Sequence, residues 1–155
     1  EHSNTVRSLT MVNEDVLASG SSDSTVQLWD WKKGAKIKTL KHPGSVLSLT
    51  MVNADILASG SSDKWSDKTV KLWDWKTGAE IRSLTGHSNQ VITLTMVNAD
   101  ILASGSSKEV KLWDWKTGTE INTLKHSNYV CSLTMVNADI LASGGGDKTV
   151  KLWGI

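Results

Sequence analysis

The chain has 155 residues, enough for one domain, and 17 basic against 16 acidic residues leave a formal net charge of +1. That balance gives no general attraction to nucleic acid or to an anionic membrane, and a charged fraction of 21% excludes a disordered polyelectrolyte. The single cysteine, Cys131, excludes an intrachain disulfide, and no run approaches the ~18–20 apolar residues of a membrane-spanning helix. No secretory signal is visible, so a cytoplasmic setting is expected, although the chain starts at Glu1 rather than Met. Eight Trp beside one Tyr and no Phe point to a short unit copied several times.

The predicted elements recur in chain order. LTMVN begins at Leu9, Leu49, Leu94 and Leu133; LASG follows at Leu17, Leu57, Leu102 and Leu141; QLW or KLW ends at Trp29, Trp73, Trp113 and Trp153. Those tryptophans lie 44, 40 and 40 residues apart. Each copy also has a His (His2, His42, His87, His126), always 17 residues before the Ser of LASG (Ser19, Ser59, Ser104, Ser143). Spacing held so strictly marks one folded unit repeated, and it divides the chain into 1–41, 42–86, 87–125 and 126–155.

Within the second copy, SVLSLTM (45–51) is rich in β-formers and VNAD is a turn. Residues 56–60 form a short apolar run before a Ser/Asp turn, TVKLWD (69–74) alternates, and Lys76-Thr77-Gly78 is a three-residue hairpin signal. EIRSL (80–84) completes four strands, labelled a to d. No segment carries the apolar stripe of a helix. Val70 and Leu72 face one way and Trp73 and Trp75 the other, so strands a to c need a neighbouring sheet on both sides. Sheets stacked around an axis supply this, which predicts an all-β fold: a β-propeller of four antiparallel four-stranded blades. Strand d carries charge (Lys36, Lys38, Glu80, Arg82, Glu120), as an outer edge should.

A His, then LASGSSD, then VKLWD, at about 40 residues over essentially the whole chain, resembles the WD-repeat β-propellers. The resemblance implies a buried hydrogen-bond relay in each blade. It would join His2, Ser19, Asp23 and Trp29 in blade one, and His42, Ser59, Asp67 and Trp73 in blade two. In blade four the members would be His126, Ser143, Asp147 and Trp153. Read naively, His, Ser and Asp together suggest a hydrolase. Four identical sites around a ring without a GxSxG elbow argue against that, and no catalytic residue is assigned. One His per sheet, each with a structural partner, argues against a metal, and no cofactor is expected. Blade three keeps His87, Ser104 and Trp113, but its turn (Ser106-Ser107-Lys108-Glu109) lacks the Asp. Either Glu109 substitutes poorly or the relay is broken, so blade three is expected to be the least stable.

The ends bear on closure. The chain opens in a d–a loop and stops just after the fourth strand c, so blade four lacks its outer strand. Three explanations stand: trimming from a longer array, a three-stranded last blade, or an edge donated by another chain.

The resemblance also places the d–a and b–c loops on one rim, the usual docking face. Between near-identical copies, the positions that differ are informative. They include Arg7 (with Leu47, Ile92 and Cys131 in the other copies), Gln90, Tyr129 and Lys108. The b–c loop of blade two is four residues longer than that of blade one and carries Lys64 and Trp65, the latter either folded back on its blade or protruding as an aromatic anchor. Lys32, Lys33, Lys36, Lys38 and Lys41 crowd one hairpin and read as a solvated edge; without interleaved aromatics they give little reason to expect nucleic acid. The expected function is a non-enzymatic scaffold for a protein or peptide partner, with no membrane partner. The alternative is a structural module that self-assembles, as half of an eight-bladed ring or through an edge strand.

Overall fold

Short β-branched and aromatic runs broken by Asn, Gly and Asp turns make every regular element among the described residues a strand. The computed structural model describes residues 1–62 and 68–155. Blade one holds β1 (Val6–Met11), β2 (Val16–Ser21), β3 (Thr25–Asp30) and β4 (Ala35–Lys41). Blade two holds β5 (Ser45–Met51), β6 (Ile56–Ser62), β7 (Val70–Asp74) and β8 (Ala79–Leu84). Blade three holds β9 (Thr93–Met96), β10 (Ile101–Gly105), β11 (Glu109–Asp114) and β12 (Thr119–Lys125). Blade four holds β13 (Val130–Asn137), β14 (Ile140–Gly145) and β15 (Val150–Gly154). Each sheet is an antiparallel meander, four-stranded in blades one to three and three-stranded in blade four.

The turns follow from their residues. At each a–b turn an Asn side chain caps the reversal: Asn13 Oδ1 accepts from Asp15 N and Val16 N, Asn53 and Asn98 repeat both bonds, and Asn137 keeps the one from Asp139 N. At the c–d hairpins the last loop residue is left-handed, with φ of 65° at Gly34, 81° at Gly78 and 80° at Gly118. Each of these hairpins then slips register before its tryptophan, at Leu28/Trp29, Leu72/Trp73 and Leu112/Trp113.

The blades stand side by side through their a strands, β1 next to β5, β5 next to β9, and β9 next to β13. The core is therefore not one mass but three joints. Between blades one and two, Val16, Ala18, Val26, Leu28 and Leu40 meet Val46, Leu49, Leu57 and Trp73. The same classes of residue meet between blades two and three and between three and four. Backbone bonds cross the joints, from Val91 N to Ser61 O at 3.0 Å and from Val130 N to Ser106 O at 2.9 Å.

The radial stacking expected from the sequence is present, but the sheets do not close into a ring. Leu152 is 64% exposed, whereas its counterparts Leu28, Leu72 and Leu112 are buried. At the other end Leu9 is 62% exposed, against buried Leu49, Leu94 and Leu133. The array is an open arc with two uncovered apolar faces.

Candidate functional site

The rim at the d–a and b–c ends is built on the relay. In blade one, Trp29 Nε1 donates to Ser19 Oγ at 2.8 Å, and Ser19 Oγ lies 2.6 Å from His2 Nε2. His2 Nδ1 lies 2.8 Å from Asp23 Oδ2. One proton arrangement satisfies the whole chain. The indole N–H goes to Ser, the Ser O–H to Nε2, and Nδ1–H to the carboxylate. Burial pushes the Asp23 carboxyl up, but hydrogen bonds from Thr25, His2 and the Ser3 N–H outweigh it and hold the group at about 2. The d–a loop is thereby fastened to the b–c turn by a charged anchor.

Blade two repeats the inner part of the relay, with Trp73 Nε1 on Ser59 Oγ at 2.8 Å and His42 Nε2 at 3.1 Å from the same oxygen. Asp67, Lys64 and Trp65 lie outside the described residues.

In blade three, of the two alternatives the sequence left open, the structure has Glu109 standing in for the missing Asp rather than a broken relay. Glu109 stands at the start of β11, and its Oε1 lies 3.1 Å from His87 Nδ1. His87 Nε2 is 2.6 Å from Ser104 Oγ, and Trp113 donates to that oxygen at 2.7 Å. The longer Glu side chain spans the distance that the shortened turn opens. Lys125 and Lys111 place their ammonium groups 3.4 and 3.9 Å from the same carboxylate. Burial pulls the His87 pKa below its usual value, and the hydrogen bond and charge of Glu109 only partly restore it.

Among the described residues, the interrupted relay is in blade four. Trp153 still donates to Ser143 at 2.8 Å, but neither ring nitrogen of buried His126 makes a hydrogen bond. Asp147 accepts instead from the Ser127 hydroxyl and from Thr149, which hold its carboxyl well below the usual carboxylate range. The sequence carried the signal. Where the other copies have Ser21, Ser61 and Ser106, blade four has Gly145, and a Cβ there would overlap the His126 ring.

These relays are poor nucleophile sites. Ser59, Ser104 and Ser143 are buried, and each Oγ is already occupied by an indole N–H. Among the described residues no group of three or more His, Cys, Asp or Glu could hold a metal ion.

The rim residues are distributed over the blades. Arg7 projects from the register slip of β1 and its Nε donates to Ser22 Oγ at 2.9 Å in the b–c loop. Gln90 precedes blade three and its carbonyl accepts from Ser106 Oγ at 2.8 Å. Lys108 is exposed in the next b–c loop, where its carbonyl accepts His126 N at 2.8 Å. Tyr129 is exposed at the entry to blade four, and its carbonyl accepts Gly146 N at 2.8 Å. Backbone and short side-chain bonds fix all four positions.

The opposite rim carries a pattern the sequence reading missed. Trp31, Trp75 and Trp115 donate their indole N–H to Glu14 O, Ala54 O and Ala99 O. Lys32, Lys76 and Lys116 pair with Asp15, Asp55 and Asp100 at 2.5–2.7 Å, each ammonium 5.7 Å from the ring before it. Each clip ties an a–b turn to a c–d hairpin. The recurring WDWK and the Asp of each turn were its signal.

A tandem array of antiparallel blades, the first three locked by a His–Ser–Trp relay and the fourth keeping its Ser–Trp part, defines a repeat protein of the WD type. The family model described as WD domain, G-beta repeat matches residues 1–30, 34–74, 78–114 and 118–154, and the chain belongs to that family. The second to fourth matched units start in or next to the c–d hairpins, so sequence repeat and blade are out of phase by one strand. Two computationally designed proteins of known crystal structure are similar at 30% identity. Ika4 matches over 100% of this chain and 94% of its own, with a TM-score of 0.87. Ika8 matches over 99% of this chain but 47% of its own, with a TM-score of 0.86. No curated protein sequence matches closely enough to count as a relative.

Proposed function

We propose that the chain is a non-enzymatic scaffold that docks a protein or peptide on the rim of its d–a and b–c loops. The observation that carries this reading is the fastening of those loops by charged anchors, His2 to Asp23 and His87 to Glu109. A rim held in place binds without a large ordering cost. The residues that differ between otherwise near-identical copies support the same reading: Arg7, Gln90, Lys108 and Tyr129 lie at this end of the blades, and Lys64 and Trp65, outside the described residues, are assigned to the same set from the sequence. Membership of the WD-repeat family supports a scaffold over an enzyme. Exposed, unpaired Cys131 suits a reducing compartment, which supports a cytoplasmic setting.

Panning a random peptide display library against the chain tests the reading. Enriched peptides should bind Arg7→Ala, Trp65→Ala and Tyr129→Ala at least about tenfold more weakly, as hot-spot truncations do. Lys116→Ala, on the opposite rim, should bind them unchanged. Failure to enrich any sequence, or peptides indifferent to all three rim variants, overturns it.

A further inference from the structure

The three joints inside this chain share one device. The b-strand glycine of one blade leaves a hollow, and the valine near the start of the next blade's a strand fills it. A Cβ on Gly20 would lie 2.6 Å from Val46 Cγ1; on Gly60, 2.7 Å from Val91 Cγ1; on Gly105, 2.8 Å from Val130 Cγ1. All three valines are fully buried. At the ends of the arc each half stands alone. Gly144, the fourth such glycine, has nothing within 4 Å of its Cβ position. Val6, the first such valine, is 47% exposed.

The rest of each end face follows suit. On blade four Val136, Val150 and Leu152 are exposed, Val150 by 73%, while Val12, Val26 and Leu28 of blade one and their counterparts in blades two and three are buried. On blade one Leu9, Met11 and Trp31 are exposed, while their counterparts in blades two to four (Trp31 has none in blade four) pack into a joint. The two faces are not merely apolar. They are the two complementary halves of an interface the molecule builds three times.

We infer that a second copy of this chain covers them, so that blade four of each copy packs on blade one of the other and two chains close head to tail as eight blades. The occupant is identified by fit. A face with Val, Leu, Met and Trp in the register of blade one is what the Gly144 hollow accepts, and the chain carries that face itself. Size agrees, since the four-blade arc superposes on about half of the longer Ika8 chain, with a TM-score of 0.86, so a similar protein carries about twice this length of chain. Such a joint is heterologous, and two of them related by a two-fold axis close without leaving a free face. Blade four brings three strands to it. The contribution that Leu40 and Leu84 of the outer strands make at the internal joints is missing, so the pair dissociates on dilution.

Light scattering on the 155-residue chain, at two concentrations about a hundredfold apart, reads the mass directly by mass action. The expected mass is twice the 16.8 kDa of one chain at the higher concentration, falling on dilution. Leu9→Asp and Leu152→Asp alter residues more than half exposed in one chain, so each should fold and each should be monomeric. Their dissociation constants should rise about a hundredfold or more, because a carboxylate would be buried in the joint. An equimolar mixture of the two retains one intact joint and should dimerise, at higher concentration than the unaltered chain. Should Leu152→Asp not fold, Gly144→Leu fills the empty hollow and takes its place. A monomer at every concentration overturns the inference. So does a dimer that survives Leu9→Asp, which would point to edge pairing through β15, or a mixture that stays monomeric. Tyr129→Ala should leave the dimer intact, which separates this interface from the peptide rim.

Discussion

His126 Nδ1 stands 3.1 Å from Asp147 Oδ2, yet no hydrogen bond joins them. The equivalent pair in blade one, His2 and Asp23, is bonded at 2.8 Å. A buried imidazole that makes no hydrogen bond costs about 1–3 kcal/mol, so blade four is expected to be weaker than blade three, where His87 is bonded to Glu109.

Gly145→Ser should therefore stabilise. Its side chain would need the space the His126 ring occupies, pushing the ring toward Ser143 and restoring the relay. A gain of about 1 kcal/mol is expected in urea denaturation. Nitrogen NMR should show His126 with one protonated and one hydrogen-bonded nitrogen. A loss of stability would mean that the ring has nowhere to go.

Stability should fall with pH in two stages. The His87 pKa is lowered in the fold, so below about 6.5 the unfolded chain takes up a proton that the folded chain refuses, and stability declines from there downward. Asp23 is held at about 2 against an ordinary 3.8, so its contribution is whole above 3.8 and is lost as pH falls through about 2. Urea midpoints measured against pH should show both stages. His87→Gln should flatten the upper one, and Asp23→Asn should shrink the lower.

Gly105→Ala should cost about 1–3 kcal/mol, because the added methyl meets Val130 Cγ1 at 2.8 Å and Thr93 Cγ2 at 2.6 Å in a packed joint. Gly144→Ala adds the same methyl to empty space and should leave the stability of the dissociated chain within about 0.5 kcal/mol. Denaturation below the association range checks both, and equal losses would refute the contrast.

Trp115→Ala should destabilise more than Trp31→Ala. Both lose an indole bond to the a–b turn, but Trp115 also packs into the joint with blade two, whereas Trp31 is 51% exposed. Lys116→Ala should cost under about 1 kcal/mol, since its pair with Asp100 is a surface one. Thermal melts of the three variants rank them.

Much of this was legible beforehand. Period-two runs and Gly or Asn turns fixed the meander within each copy, because those signals are local. The His and Ser of the relay kept a constant 17-residue spacing, while its Asp and Trp were expected only from the resemblance to WD-repeat propellers. Glu109 was harder, since whether a longer carboxylate can reach His87 depends on the turn that carries it. The empty hollow at Gly144 was not legible at all. LASG reads the same in all four copies, and only the position of the next blade separates a filled seat from a vacant one. Nor could the openness of the arc be read, because the angle between sheets is set by side chains meeting across three joints rather than by any one strand.

The one-strand offset between repeat and blade has a further consequence. Inserting one more repeat adds an outer strand to the blade before it and three inner strands to the next. The array then grows by one joint while its two end faces stay chemically the same. Lengthening the gene leaves the rule for joining ends untouched, so blade number is free to drift until curvature brings a Gly144-type hollow to a Val6-type valine.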